Sequence, residues 1–276
     1  MPKAKVGDID IYYEVHGEGE PLVLIMGYGA NSRWWFRQIV VFSPEFKVIA
    51  FDNRGTGQSD KPDVRYPMEA FADDAAGVLD AIGIDATHVY GVSMGGMIAQ
   101  DFALRYPDRV ISLILGATLC GGSHAVMPDA AANAILFDFE RMSRLTPEEA
   151  AWESLPFLYS QEFIDKNTEL IKQSIAEQAQ NPTPLHSYRR QGQAMVGCDT
   201  YDRLPQIKAP TLVIAGTGDR IIPVENSRIL ASRIPNAELV LFEGAGHGYL
   251  LEVEDEANKA VLEFLERHRR SRQASI

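Results

Sequence analysis

The chain has 276 residues, 46% of them hydrophobic, with 38 acidic against 26 basic side chains and a formal net charge of −12. That length buries a sizeable core, either as two units or as one large α/β domain carrying an insertion. The acidic balance disfavours nucleic acid as a partner, and Cys120 and Cys198 form neither a disulfide framework nor a paired zinc-ligand spacing.

The N-terminal residues Met-Pro-Lys-Ala-Lys-Val-Gly-Asp lack the apolar core of a signal peptide. No stretch approaches the ~18 apolar residues of a membrane span. A cytoplasmic protein with no membrane partner is expected.

Residues 4–15 alternate, with β-branched Val6, Ile9, Ile11 and Val15, and predict an antiparallel hairpin turning at Gly7-Asp8. Six short apolar runs follow: Pro21–Met26, Phe46–Phe51, Thr87–Gly91, Val110–Leu115, Thr211–Ala215 and Glu238–Phe242. Continuous apolar strands suit a parallel sheet covered on both faces. Helical spacing occupies residues 68–83, 96–106, 224–233 and 253–268. The alternation predicts an α/β class chain with a mostly parallel, doubly wound sheet. It breaks between about residues 123 and 207, where helical runs near 129–144, 147–157, 161–179 and 186–195 are punctuated by prolines. A helical insertion between two strands is the simplest account. His268-Arg269-Arg270 closes a helix, where positive charge suits the dipole.

Gly91-Val92-Ser93-Met94-Gly95 matches the G-x-S-x-G elbow, preceded by an apolar run and followed by a helix pattern. Such a turn lifts the serine hydroxyl above the sheet edge. Strand and helix come so close that side chains two positions either side would collide, hence the glycines. A serine hydroxyl is a weak nucleophile without a base. His247, in Gly244-Ala-Gly-His-Gly248 directly after the last apolar run, is placed to be that base. Loops at the strands' C-terminal edge are where α/β ligands bind. Of the other histidines, His16 and His268 read as surface residues and His88 as packed in a strand. His124 and His186 fall at or within the insertion.

A carboxylate must orient the base and stabilise its imidazolium. Asp219 ends Ala215-Gly-Thr-Gly-Asp219, just past an apolar run, and could instead cap a helix or form a turn, or do both. The developing oxyanion needs backbone donors. The Met94 amide supplies one, and the Tyr28 amide of Gly27-Tyr28-Gly29 the other.

With Gly27–Gly29, Asp52-Asn-Arg-Gly-Thr-Gly-Gln-Ser59, Gly91–Gly95, Asp219 and Gly244–Gly248 in this order, the chain resembles the α/β-hydrolase family over essentially its whole length. It looks most similar to small bacterial carboxylesterases and 3-oxoadipate enol-lactonase-like members. The resemblance implies the α/β-hydrolase fold with an eight-stranded sheet, a core of residues 1–122 and 208–276, and residues 123–207 as a helical cap. It implies a catalytic triad of Ser93, Asp219 and His247, and neither metal nor cofactor. Met26 stands where many members carry a histidine that supports the oxyanion loop, which leaves that loop's hydrogen bonding open. Asp52–Ser59 reads as a structural turn, with Arg54 as a scaffold partner more than a substrate contact.

Expected pocket residues are Tyr28, Trp34, Met94, Ile221 and Tyr249 from the core and Phe137, Trp152, Leu155 and Met195 from the cap. The resulting expectation is a serine hydrolase that cleaves a small-molecule ester or lactone through an acyl-enzyme. Carbon–carbon bond hydrolysis or cofactor-free perhydrolysis on the same triad is the alternative. A slow-turnover ligand receptor on the same fold is an alternative of another class. Haloalkane dehalogenation is disfavoured, because serine stands where that chemistry needs a carboxylate.

Overall fold

The structure, a computed structural model, describes residues 2–270 except for the side chains at 177 and 178, so the end of the expected core unit at 276 lies outside the described residues. The expected hairpin is present as β1 (Lys3–Val6) and β2 (Ile9–His16). Then come β3 (Glu20–Ile25), α1 (Phe36–Phe42), β4 (Phe46–Phe51), α2 (Met68–Ala81), β5 (Thr87–Val92), α3 (Met94–Arg105) and β6 (Val110–Gly116). Six helices follow without a strand: α4 (Ala130–Phe137), α5 (Phe139–Met142), α6 (Pro147–Leu158), α7 (Gln161–Lys166), α8 (Thr168–Gln178) and α9 (Leu185–Val196). The chain closes with β7 (Thr211–Gly216), α10 (Glu225–Arg233), β8 (Glu238–Phe242), α11 (Tyr249–Glu252) and α12 (Glu254–Arg267).

The eight strands form one sheet in the order β1-β2-β4-β3-β5-β6-β7-β8, with the pairs β1–β2 and β2–β4 antiparallel and every later pair parallel. Side chains alternate across a strand, so each apolar run feeds two cores. Val23 and Ile25 of β3 pack with Phe71, Val78 and Leu79 of α2 and Met97 and Phe102 of α3. Leu22 and Leu24 face the other way, towards Phe42 of α1 and Val261 and Phe264 of α12. This two-sided burial is why the strands read as continuous apolar runs. The structure is the α/β-hydrolase fold expected from the sequence.

The helical segment between β6 and β7 is tied at its base. Gly121 bridges Asp199, the Gly122 amide donates to the Cys198 carbonyl at 3.1 Å, and the Thr200 amide donates to the Cys120 carbonyl at 2.9 Å. It carries a small core of its own in Leu155, Tyr159, Ile171 and Ile175. Two expected runs are divided: 129–144 at Asp138, whose carboxylate caps α5, and 161–179 at Asn167. Among the described residues no helix is long and apolar enough to cross a membrane.

Candidate active site

Ser93 sits between β5 and α3 at φ 57° and ψ −125°, a conformation that L-residues rarely adopt. Its surroundings hold it there. The Ser93 amide donates to the Gly116 carbonyl at 2.9 Å, and the Ser93 carbonyl accepts the Thr118 hydroxyl at 2.7 Å. The collision expected of larger side chains is explicit: a Cβ on Gly91 would lie 2.1 Å from the Gly95 carbonyl oxygen, and one on Gly95 would lie 2.1 Å from that of Ile25. Met94 opens α3, so its amide belongs to the first helical turn, which has no intrahelical acceptor.

Asp219 follows β7 and His247 follows β8. His247 Nδ1 and Asp219 Oδ2 are 2.7 Å apart, with the Asp219 side chain fully buried. The other carboxylate oxygen, Oδ1, accepts the Ile221 and Ile222 amides at 2.8 Å each. Asp219 is therefore both turn former and histidine partner. The pairing places the Nδ1 proton towards Asp219 and leaves Nε2 with a free lone pair. Ser93 and His247 line the same cavity, of about 1070 Å³. The Ser93 hydroxyl makes no hydrogen bond among the described residues; in ligand-free sites such contacts are often long and tighten only with substrate.

The Tyr28 amide also donates to no atom among the described residues, although its neighbours are tightly held. Asn53 Nδ2 donates to the Met26 carbonyl at 2.8 Å, and the Gly29 amide donates to Gln191 Oε1 at 2.8 Å. Gln191 Nε2 in turn donates to the Arg54 carbonyl at 3.0 Å, and the Thr183 hydroxyl donates to the Gly29 carbonyl at 2.8 Å. Here the support left open by Met26 comes from Asn53 and from Gln191 of α9. The histidine loop is gripped similarly. Glu252 accepts the Gly246 amide at 2.8 Å and the Ser160 amide at 3.0 Å, and the Gly248 amide donates to the Leu158 carbonyl at 2.7 Å. Neither Gln191 nor Glu252 stood out in sequence. The available signal for Gln191 was a polar residue on a helix face that turned out to be fully buried.

Trp34, Phe137, Met195 and Ile221 line the cavity with Tyr28, but Trp152, Leu155 and Tyr249 do not. On α6, Pro147, Ala150, Ala151, Ser154 and Leu158 form the cavity face, at spacings of three and four. Trp152 and Leu155 pack instead in the small core with Ile171 and Ile175, which adjoins the cavity through Ile175. Tyr249 is fully buried against the sheet, its hydroxyl 2.8 Å from that of Tyr90. Met94 contributes its side chain to the core, leaving only its amide near the site. Arg54 is taken up by Asp74 through two contacts of 2.6 Å, as a scaffold pair. Asp52 accepts the Ser32 and Gln58 amides at 2.8 and 2.7 Å, which makes Asp52–Ser59 a structural turn.

Comparison with known proteins agrees with this fold. The sequence model of a family described as alpha/beta hydrolase fold matches residues 20–252. A protein of Azorhizobium caulinodans named "Putative carbamate hydrolase RutD" is 31% identical over 265 residues, 96% of this chain and 98% of that one. A poly(3-hydroxyalkanoate) depolymerase of Ectopseudomonas oleovorans is 34% identical over 249 residues, 90% of this chain and 85% of its own. The crystal structure of the enol-lactonase from Burkholderia xenovorans superposes with a TM-score of 0.84 at 26% identity, covering 96% of this chain and 100% of that one. On its fold, its motif order and these matches, the chain belongs to the α/β-hydrolase family.

Proposed function

We propose that the protein is a serine hydrolase that cleaves a carboxylic ester or lactone through an acyl-enzyme, with Ser93, His247 and Asp219 as its triad. The observation that carries the reading is the buried Asp219–His247 pair, 2.7 Å apart, at the lip of the cavity that the strained Ser93 also lines. Ser93 Oγ attacks the carbonyl carbon as its proton passes to His247 Nε2. Asp219 stabilises the resulting imidazolium, and the Tyr28 and Met94 amides receive the oxyanion. The carbon–oxygen bond then breaks, and the departing alkoxide takes the proton from His247. Water attacks the acyl carbon, gives a proton to His247, and the acid leaves as that proton returns to Ser93 Oγ. The names of relatives and similar structures include a carbamate hydrolase, an enol-lactonase and an esterase, and cleavage of each of those bonds can begin with attack on a carbonyl carbon.

The test is Ser93→Ala assayed on p-nitrophenyl esters beside fluorophosphonate labelling of the wild type. Turnover should fall by about 10⁴-fold or more, and the label should map to Ser93. Activity within a few-fold of wild type would defeat the reading. A parallel panel of lactones, carbamates and vinylogous diketones separates ester chemistry from its carbonyl-directed alternatives.

A further inference from the structure

We infer that the cavity takes a neutral substrate whose acyl part is a long apolar chain, laid along α6. This rests on the serine-hydrolase reading. Two independent features point to it: how the room is made, and what charge the room contains.

The cavity extends away from the nucleophile into the helical segment. Leu158 marks the inner end of α6, since its carbonyl accepts the Gly248 amide beside His247. Ala150 lies eight residues earlier on the same cavity face, about 12 Å along a helix axis. Between them that face carries Ala151 and Ser154, small side chains that leave space, while bulkier Trp152 and Leu155 do not line the cavity. Ile175 of α8 and Leu145 before α6 add apolar wall. A short acyl group would leave this trough unfilled.

The only arginine, lysine or carboxylate side chains among the described lining residues are Arg37 and Arg141. Arg141 keeps one unpartnered donor, Nε, but both charges are balanced, Arg37 by Glu254 and Arg141 by Glu153. An anionic acyl group would meet no uncompensated positive charge there. A neutral chain gains from each methylene it buries, at about 0.8 kcal/mol, or about fourfold in kcat/KM, until the trough is full.

The experiment measures kcat/KM of the wild-type protein for p-nitrophenyl acetate, butanoate, hexanoate, octanoate and dodecanoate, and for the mono-p-nitrophenyl ester of adipic acid. We expect at least a tenfold rise from acetate to octanoate, and at least a tenfold penalty for the adipate ester against hexanoate. Ala150→Trp, checked for folding by its melting curve and by fluorophosphonate labelling of Ser93, should move the optimum to shorter chains. Cleavage that depends on Ser93 but favours acetate, or favours the adipate ester, overturns the substrate class alone. So does a folded Ala150→Trp protein with an unshifted optimum. Absence of cleavage at every chain length, or cleavage that survives Ser93→Ala, overturns the hydrolase reading and this proposal with it.

Discussion

Asp219 divides its two carboxylate oxygens between the backbone and the imidazole. Oδ1 accepts the Ile221 and Ile222 amides, and Oδ2 faces His247 Nδ1. The substitution Asp219→Asn separates the two functions, because an asparagine oxygen can still accept both amides. Its amide nitrogen, now facing Nδ1, would favour the imidazole tautomer whose proton sits on Nε2, where the base needs a lone pair. We expect kcat to fall by about 10⁴-fold with the melting temperature little changed. Stopped-flow or steady-state ester hydrolysis beside a thermal melt checks it; a loss under tenfold would remove Asp219 from the triad. The sequence pointed to Asp219 through its place after an apolar run. It allowed the double use without deciding it, because the two amides that Oδ1 accepts are brought together by a turn that only the folded chain forms.

At the scale of elements, both loops that frame the nucleophile are clasped. Gln191 of α9 joins the proposed oxyanion loop at Gly29 to the turn at Arg54, and Glu252 of α11 joins the His247 loop at Gly246 to the chain after α6 at Ser160. Gln191→Met keeps the side-chain length but leaves the Gly29 amide and the Arg54 carbonyl unpaired. The expected cost is about 1–3 kcal/mol in urea unfolding. If the clasp positions the Tyr28 amide, kcat should also fall by about 10- to 100-fold with KM nearly unchanged. A stability loss with kcat intact would assign Gln191 to the fold alone. The choice of face on α6 was not legible for a related reason. Glu149 and Glu153 mark the solvent side of α6, but Ala150 and Ser154 on one flank and Trp152 and Leu155 on the other do not show which flank meets the cavity and which the small core. Helix α1 escaped the pattern reading because Phe36–Phe42 is seven residues long and rich in aromatic and β-branched types, which favour strands.

For the molecule as a whole, the sheet interior contains one group that couples stability to pH. His88 of β5 is fully buried, and burial pushes its pKa down to about 4 against the opposing pull of Glu20, 3.7 Å away. Its Nδ1 lies 2.8 Å from the Ser112 hydroxyl, and the edge of its ring faces Phe46. The unfolded chain therefore takes up this proton more readily than the native one. The stability that follows from a neutral His88 is complete above pH 6.5 and is lost as pH falls from there towards 4. Urea unfolding of the wild type and of His88→Gln at intervals across that window isolates the effect from other titrating groups. The variant's stability should fall less steeply; parallel slopes would mean that His88 does not carry it.

Strand and helix alternation, the order of the chemistry-bearing motifs and the polar residues after β5, β7 and β8 were determined by the sequence alone. They follow from local periodicity and from the steric demands of tight turns. Only the tertiary structure decided which face of α6 borders the cavity, that Tyr249 packs against Tyr90, and that Gln191 and Glu252 hold the loops around the site. Those outcomes depend on contacts between residues far apart in the chain, where burial and partner geometry, not periodicity, select one arrangement.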